Sequence, residues 1–295
     1  MTIERVESIT YGVEDMATCV RYFEDLGLEK LEHAGTGAEF QTSENQSVRL
    51  RLVDDASLPS VPETGSTMCE AVWGVDTTDA LAAIGAELSK DRDVTESTDG
   101  ILHSRDERGF AIAFGLVDRV PARFEPSRRN VNGAVERVNT RYVRDANTGP
   151  IRIGHIVYRI PQEERHVATS FYMDRLGFRA SDRVERLGDF LRCDGCSDHH
   201  SLFLIWLHKV DTRFDHVAFE VREIDDVFFN GQHMTSQGWT ANGGPGRQPF
   251  GSHLDWHFDN PAGGTAEFYT DMDRYDETWT PGTGAESERS STWRL

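Results

Sequence analysis

The chain has 295 residues, 38% of them hydrophobic, and a mean hydropathy of -0.52. That length suits two compact domains or one large one, and no stretch nears the roughly 20 apolar residues that span a bilayer. With 50 acidic against 31 basic residues the formal charge is -19, so phosphate backbones and anionic lipid are repelled and neither nucleic-acid nor membrane partners are expected.

The first residues, MTIERVESIT, hold no basic segment leading into an apolar one. No signal peptide is therefore expected, and a cytoplasmic location is. RVESITYGV then reads as a strand, and the segment ending in YFEDLGLEK as a helix. Gly27 stands where that helix needs a left-handed cap. EAVWGVDTTDAL and GFAIAFGLVD follow as further strand and helix signals. Residues 121–150 are polar, with prolines at 121, 126 and 150, and read as a linker on the surface. RIGHIVYRI and the helical segment ending in FYMDRLGFRA then repeat the opening pattern, with Gly177 in the place of Gly27. The turn RCDGCSDHH holds two of the four cysteines, Cys193 and Cys196; Cys19 and Cys69 lie apart. Four cysteines in this length are no disulfide framework, and loop residues without thiol chemistry are preferred over a zinc knuckle. SLFLIWL, FDHVAFEV and GGTAEFYTDMD complete the second half, and a polar tail over 276–295 is expected as a surface arm.

This self-similarity, offset by about 150 residues, points to an α+β protein of duplicated βαβββ modules, two domains of two modules each. The expected boundaries are 1–120 for the first domain, 121–150 for the linker and 151–275 for the second domain.

Strand alternation in the second half places Ile153, His155 and Val157 on one face, then Phe214, His216 and Ala218, then Thr265, Glu267 and Tyr269. A lone strand histidine is more often a core or surface residue than a ligand. Three candidate ligands at matching strand positions shift that balance. Two neutral imidazoles and one carboxylate form the 2-His-1-carboxylate set of non-haem Fe(II) oxygenases, which leaves a face of the metal open. The first half offers Ser8, Glu70 and Ala113 at the corresponding positions, so a metal site is expected in the second half alone.

IGHIVYRI, FDHVAFEV and NPAGGTAEFYTD resemble the type I extradiol dioxygenases of the vicinal oxygen chelate superfamily, as does the spacing of His155, His216 and Glu267. The resemblance covers most of the chain and is strongest over 150–273. It implies the vicinal oxygen chelate fold, a mononuclear Fe(II) (or alternatively Mn(II)), and cleavage of a small aromatic diol beside its hydroxyls with O2. It also implies a homo-oligomer. DHHSLFLIW matches the family's acid–base histidine at His200, leaving His199 as a turn residue. Two positions depart from the pattern. The family has a tyrosine ten residues before the glutamate ligand and a histidine nine before that, where this sequence has His257 and Gln248. Alternation sends His253, Asp255 and His257 to one face. An imidazole at 257 can hydrogen-bond or shuttle a proton, but titrates far below a phenol. His257 and Gln248 are therefore candidates for substrate contact.

These departures keep open a hydroquinone-cleaving oxygenase or a glyoxalase-like isomerase on the same metal. A metal-free small-molecule binding protein is the further alternative, which the complete triad opposes. Trp206, Trp239, Trp256 and Phe250 are candidates for shaping a pocket, although core packing is their commoner role.

Overall fold

Four βαβββ units follow one another along the chain, in a computed structural model that describes residues 2–125, 127–144, 149–208, 210–284 and 292–295. The first comprises β1 (Ile3–Val13), α1 (Met16–Asp25), β2 (Glu29–Ala34), β3 (Gly37–Gln41) and β4 (Ser47–Leu52). The second comprises β5 (Thr67–Val75), α2 (Thr78–Leu88), β6 (Thr95–Glu96), β7 (Leu102–Arg105) and β8 (Ala111–Leu116). Within 121–150 lies a small hairpin of β9 (Asn130–Val131) and β10 (Ala134–Val135), exposed on both strands.

The third unit runs through β11 (Arg152–Pro161), α3 (Arg165–Ser170), β12 (Arg179–Val184), β13 (Gly188–Arg192) and β14 (Leu202–Leu207). The fourth runs through β15 (Arg213–Glu220), α4 (Ile224–Ser236), β16 (Ala241–Arg247), β17 (Leu254–Asp259) and β18 (Thr265–Thr270). The tail adds β19 (Gly282–Gly284) beside β12 and β20 (Trp293–Arg294) beside β16, so it extends both edges of the second sheet. The linker and tail readings cover Pro126 and residues 145–148 and 285–291, which lie outside the described residues.

Local chemistry explains the helices. Asp15 accepts from the Thr18 N–H at 3.0 Å and starts α1, which buries Met16, Cys19, Val20 and Phe23 on one face. Gly27, at φ 92°, ends it, and Gly177, at φ 76°, ends the matching segment of the third unit.

The strands form two sheets, ordered β2-β3-β4-β1-β5-β8-β7-β6 and β19-β12-β13-β14-β11-β15-β18-β17-β16-β20. Their registers superpose. Ser8 lies opposite Val72 and Val72 opposite Ala113; likewise His155 lies opposite Ala218 and Ala218 opposite Glu267. One apolar core runs between the sheets, with Tyr11 edge-on to Phe214 at 5.9 Å and Phe110 stacked on Tyr158 at 3.8 Å. Between β1 and β11, buried Gln46 replaces strand pairing: its amide accepts from the Ile153 N–H at 2.7 Å and donates to the Ile153 carbonyl at 3.0 Å.

Simple alternation fails at two positions. β-Bulges between Ile153 and His155, and between Val157 and Tyr158 opposite His216 and Phe214, break the period of two. Ile153 and Phe214 therefore join the inter-sheet core, while His155, Val157 and His216 face the other side.

Candidate metal centre and active-site cavity

Each candidate ligand comes from one of three adjacent strands. His155 lies on β11, His216 on its neighbour β15, and Glu267 on β18 beyond it. Because β15 and β18 run parallel, Ala218 pairs with Glu267 and the two strands bring His216 and Glu267 to one face. Glu267 Oε2 lies 3.2 Å from His155 Nε2 and 3.3 Å from His216 Nε2, and the three ligand atoms fit within 4.8 Å of one another. His155 and Glu267 are each 1% exposed.

Beside His155 sits Gly154, where any Cβ would collide with the Tyr269 hydroxyl. That absence lets the Tyr269 ring pack 5.1 Å from the His155 ring. Asp215 accepts from His216 Nδ1 at 2.6 Å, which leaves Nε2 free to ligate. Burial disfavours the His216 cation, but the bonds to Asp215 and Glu267 outweigh it and raise its pKa to about 9. Burial dominates at His155 and lowers it to about 4, against the pull of Glu267. Burial of Glu267 favours its acid form, yet the surrounding His257, His155, His216 and His253 hold it well below the usual carboxylate range.

These groups line a cavity of about 160 Å³. His200, Gln248, His253 and His257 share the lining, with apolar walls from Leu187, Phe190, Phe203, Pro249 and Phe250. Phe190 and Phe203 stack at 3.9 Å and form a flat wall. Gln248 and Phe250 are held by a loop in which the Gln248 N–H donates to the His253 carbonyl at 2.9 Å. His257 Nε2 lies 3.0 Å from Asp255 Oδ2 and 3.8 Å from Glu267 Oε1. All six residues read from sequence as site candidates thus surround one cavity: His155, His216, Glu267, His200, Gln248 and His257. Of the four aromatic candidates only Phe250 lines it; Trp239 packs edge-on to Tyr22 at 4.9 Å, and Trp206 and Trp256 pack elsewhere.

The donor set fits a divalent cation. The buried carboxylate has imidazole nitrogens on both oxygens, with His253 Nε2 at 3.2 Å from Oε1, and nothing but a positive charge suits its ionised form at this depth. The first half differs. Ser8 accepts from Arg49 at 3.0 Å, Glu70 bonds His103 at 2.9 Å, and Ala113 offers no donor.

The profile of the Glyoxalase/Bleomycin resistance protein/Dioxygenase superfamily matches residues 152–268, the span that carries all three candidate ligands. That match covers the second half of the chain, which in this span is similar to the superfamily. Metapyrocatechase 2 of Cupriavidus necator is 31% identical over 176 residues, 59% of this chain and 52% of the relative. The chain therefore spans about half the length of the curated relative it matches. An extradiol ring-cleaving dioxygenase from B. fuscum shares the fold with a TM-score of 0.77 at 17% identity, over 100% of this chain and 80% of that one. A Mn(II)-bound glyoxalase from Novosphingobium aromaticivorans shares it with a TM-score of 0.75 at 20% identity, over 96% and 88%. These likenesses show the fold, and its duplicated registers place the three candidate ligands in one half and Ser8, Glu70 and Ala113 in the other.

Three groups went unread in the sequence. His253 was placed on the correct strand face but not at the site. Asp215, next to His216 in the chain, was not singled out by the strand pattern. His199, read as a turn residue, is fully buried and hydrogen-bonded to both Asp182 and His200, because the turn folds back under the loop at Gly251.

Proposed function

We propose that this protein cleaves a small catechol on the bond beside its two hydroxyls, inserting both atoms of O2, at an Fe(II) held by His155, His216 and Glu267. One observation carries the reading: three ligand atoms within 4.8 Å of one another open onto a cavity with a flat aromatic wall. A bound divalent metal supplies Lewis acidity toward the diol and a template that holds it beside O2. The chain's own residues do the rest. Phe190, Phe203 and Phe250 stack on or border the ring and exclude water. His200, 2% exposed with its ring 4.1 Å from that of His155, stands where a diol proton is to be taken and returned. His257 and Gln248 present hydrogen-bonding groups in place of a tyrosine and a histidine.

The test is anaerobic loading with Fe(II), followed by O2 uptake and absorbance with a panel of catechols. A yellow ring-fission product, absent in His155→Ala and Glu267→Ala, is the expected result. Bound iron with no O2 uptake on any catechol would overturn the assignment. It would turn attention to hydroquinones or to isomerisation, with His257 and Gln248 as the distinguishing residues.

A further inference from the structure

Behind His200 stands a buried hydrogen-bond chain that the ring-cleavage reading does not use. His199 Nδ1 lies 2.9 Å from His200 Nδ1, and His199 Nε2 lies 2.8 Å from Asp182 Oδ2. The other oxygen, Asp182 Oδ1, accepts from the Gly282 N–H at 3.0 Å. His199 is fully buried and Asp182 nearly so.

The proton positions follow from valence. A carboxylate only accepts, so His199 Nε2 must carry the hydrogen. Burial keeps His199 neutral, against the pull of Asp182, so its Nδ1 bears a lone pair. The short Nδ1–Nδ1 contact then requires that His200 donates from Nδ1. His200 Nε2 is then left without a hydrogen, on a residue that lines the cavity.

We propose that Asp182 and His199 are positioning residues that fix the neutral tautomer of His200, with Nε2 a hydrogen-bond acceptor toward the substrate. In the reaction His200 then enters as a base. A substrate O–H bond breaks, an Nε2–H bond forms, and the electron pair stays on the oxygen. Only the role given to His200 rests on the dioxygenase reading; the tautomer itself does not.

Long-range proton–nitrogen NMR on the full chain with 15N-labelled histidine, without metal and at neutral pH, reads each tautomer directly. The expected spectrum has His200 protonated at Nδ1 and His199 at Nε2; His200 protonated at Nε2 overturns the proposal. In Asp182→Asn the side-chain oxygen stays on the Gly282 N–H and the amide faces His199. His199 must then accept at Nε2 and donate from Nδ1, which moves the His200 proton to Nε2. Such a tautomer inversion, with geometry kept, costs a serine protease about 10⁴ in kcat. Here a fall in kcat of about 10²-fold or more is expected, with KM nearly unchanged. A folded Asp182→Asn that keeps the His200 tautomer, or inverts it at full kcat, also overturns the proposal. Should this variant not fold, the wild-type spectrum alone decides. Should no catechol be cleaved, the spectrum still reads the tautomers, so the two ideas fail separately.

Discussion

At the scale of single residues, groups behind the candidate ligands shape the proposed site. Asp215 fixes the His216 ring by accepting from Nδ1 at 2.6 Å. Outer partners of metal-bound histidines are worth roughly 10–100-fold in metal affinity. Asp215→Asn is therefore expected to weaken Fe(II) binding by about that factor in a chelator competition, with the fold kept. Gly154 sits against the Tyr269 hydroxyl, so Gly154→Ala must push that ring away from His155. Overpacking of this kind costs about 1–3 kcal/mol. A lower unfolding midpoint and weaker metal binding together are expected; a variant with wild-type metal affinity would show that Tyr269 does not hold His155 in place. Ile153 shows what sequence alone misreads at this scale. It shares the parity of His155, yet a bulge turns it into the inter-sheet core.

At the scale of elements, the join between the second and third units carries a buried acid. Asp106, in the turn between β7 and β8, accepts from Tyr172 at 2.8 Å and from the Arg108 and Phe110 N–H groups at 2.8 and 3.0 Å. Burial outweighs these bonds and raises its pKa to about 6 from 3.8. A carboxyl with a raised folded pKa favours folding below its unfolded pKa, and that advantage is lost as pH rises. Stability should thus fall between about pH 4 and pH 6 by an amount on the order of 3 kcal/mol from this group. Asp106→Asn keeps a neutral group of the same shape, and its amide can donate to the Tyr172 oxygen. Denaturant melts at pH 5 and pH 8 are expected to show the variant gaining on the wild type at the higher pH. An equal difference at both values would mean that Asp106 is ionised without penalty.

At the scale of the whole molecule, the two sheets share one core, and polar bridges from the first half reach β11 and β15 beside the site. Gln46 of the first half satisfies both the N–H and the carbonyl of Ile153, two residues before His155. Gln46→Leu would leave these buried groups unpaired, at about 1–3 kcal/mol each. A marked loss of stability and a disturbed metal site are expected in calorimetry and metal titration. On that expectation the first half acts on the proposed centre without supplying a candidate ligand. Aromatic contacts between the halves, such as Trp73 edge-on to Phe178 at 5.0 Å, hold the same join from the apolar side.

The sequence by itself determined the repeat, the βαβββ units and the strand positions of the three candidate ligands. Each of these rests on local signals: alternation along a strand, Leu-Gly helix ends at Gly27 and Gly177, and an ionisable group amid apolar neighbours. Only the tertiary structure decided that His253 reaches Glu267, and that His199 is sealed between Asp182 and His200. It alone showed that Phe190 and Phe203 face the cavity rather than the main core. The reason is physical. Periodicity tells which way a side chain points from its own strand. What it meets there depends on bulges, on loops such as the one at Gly251, and on strands far away in the chain.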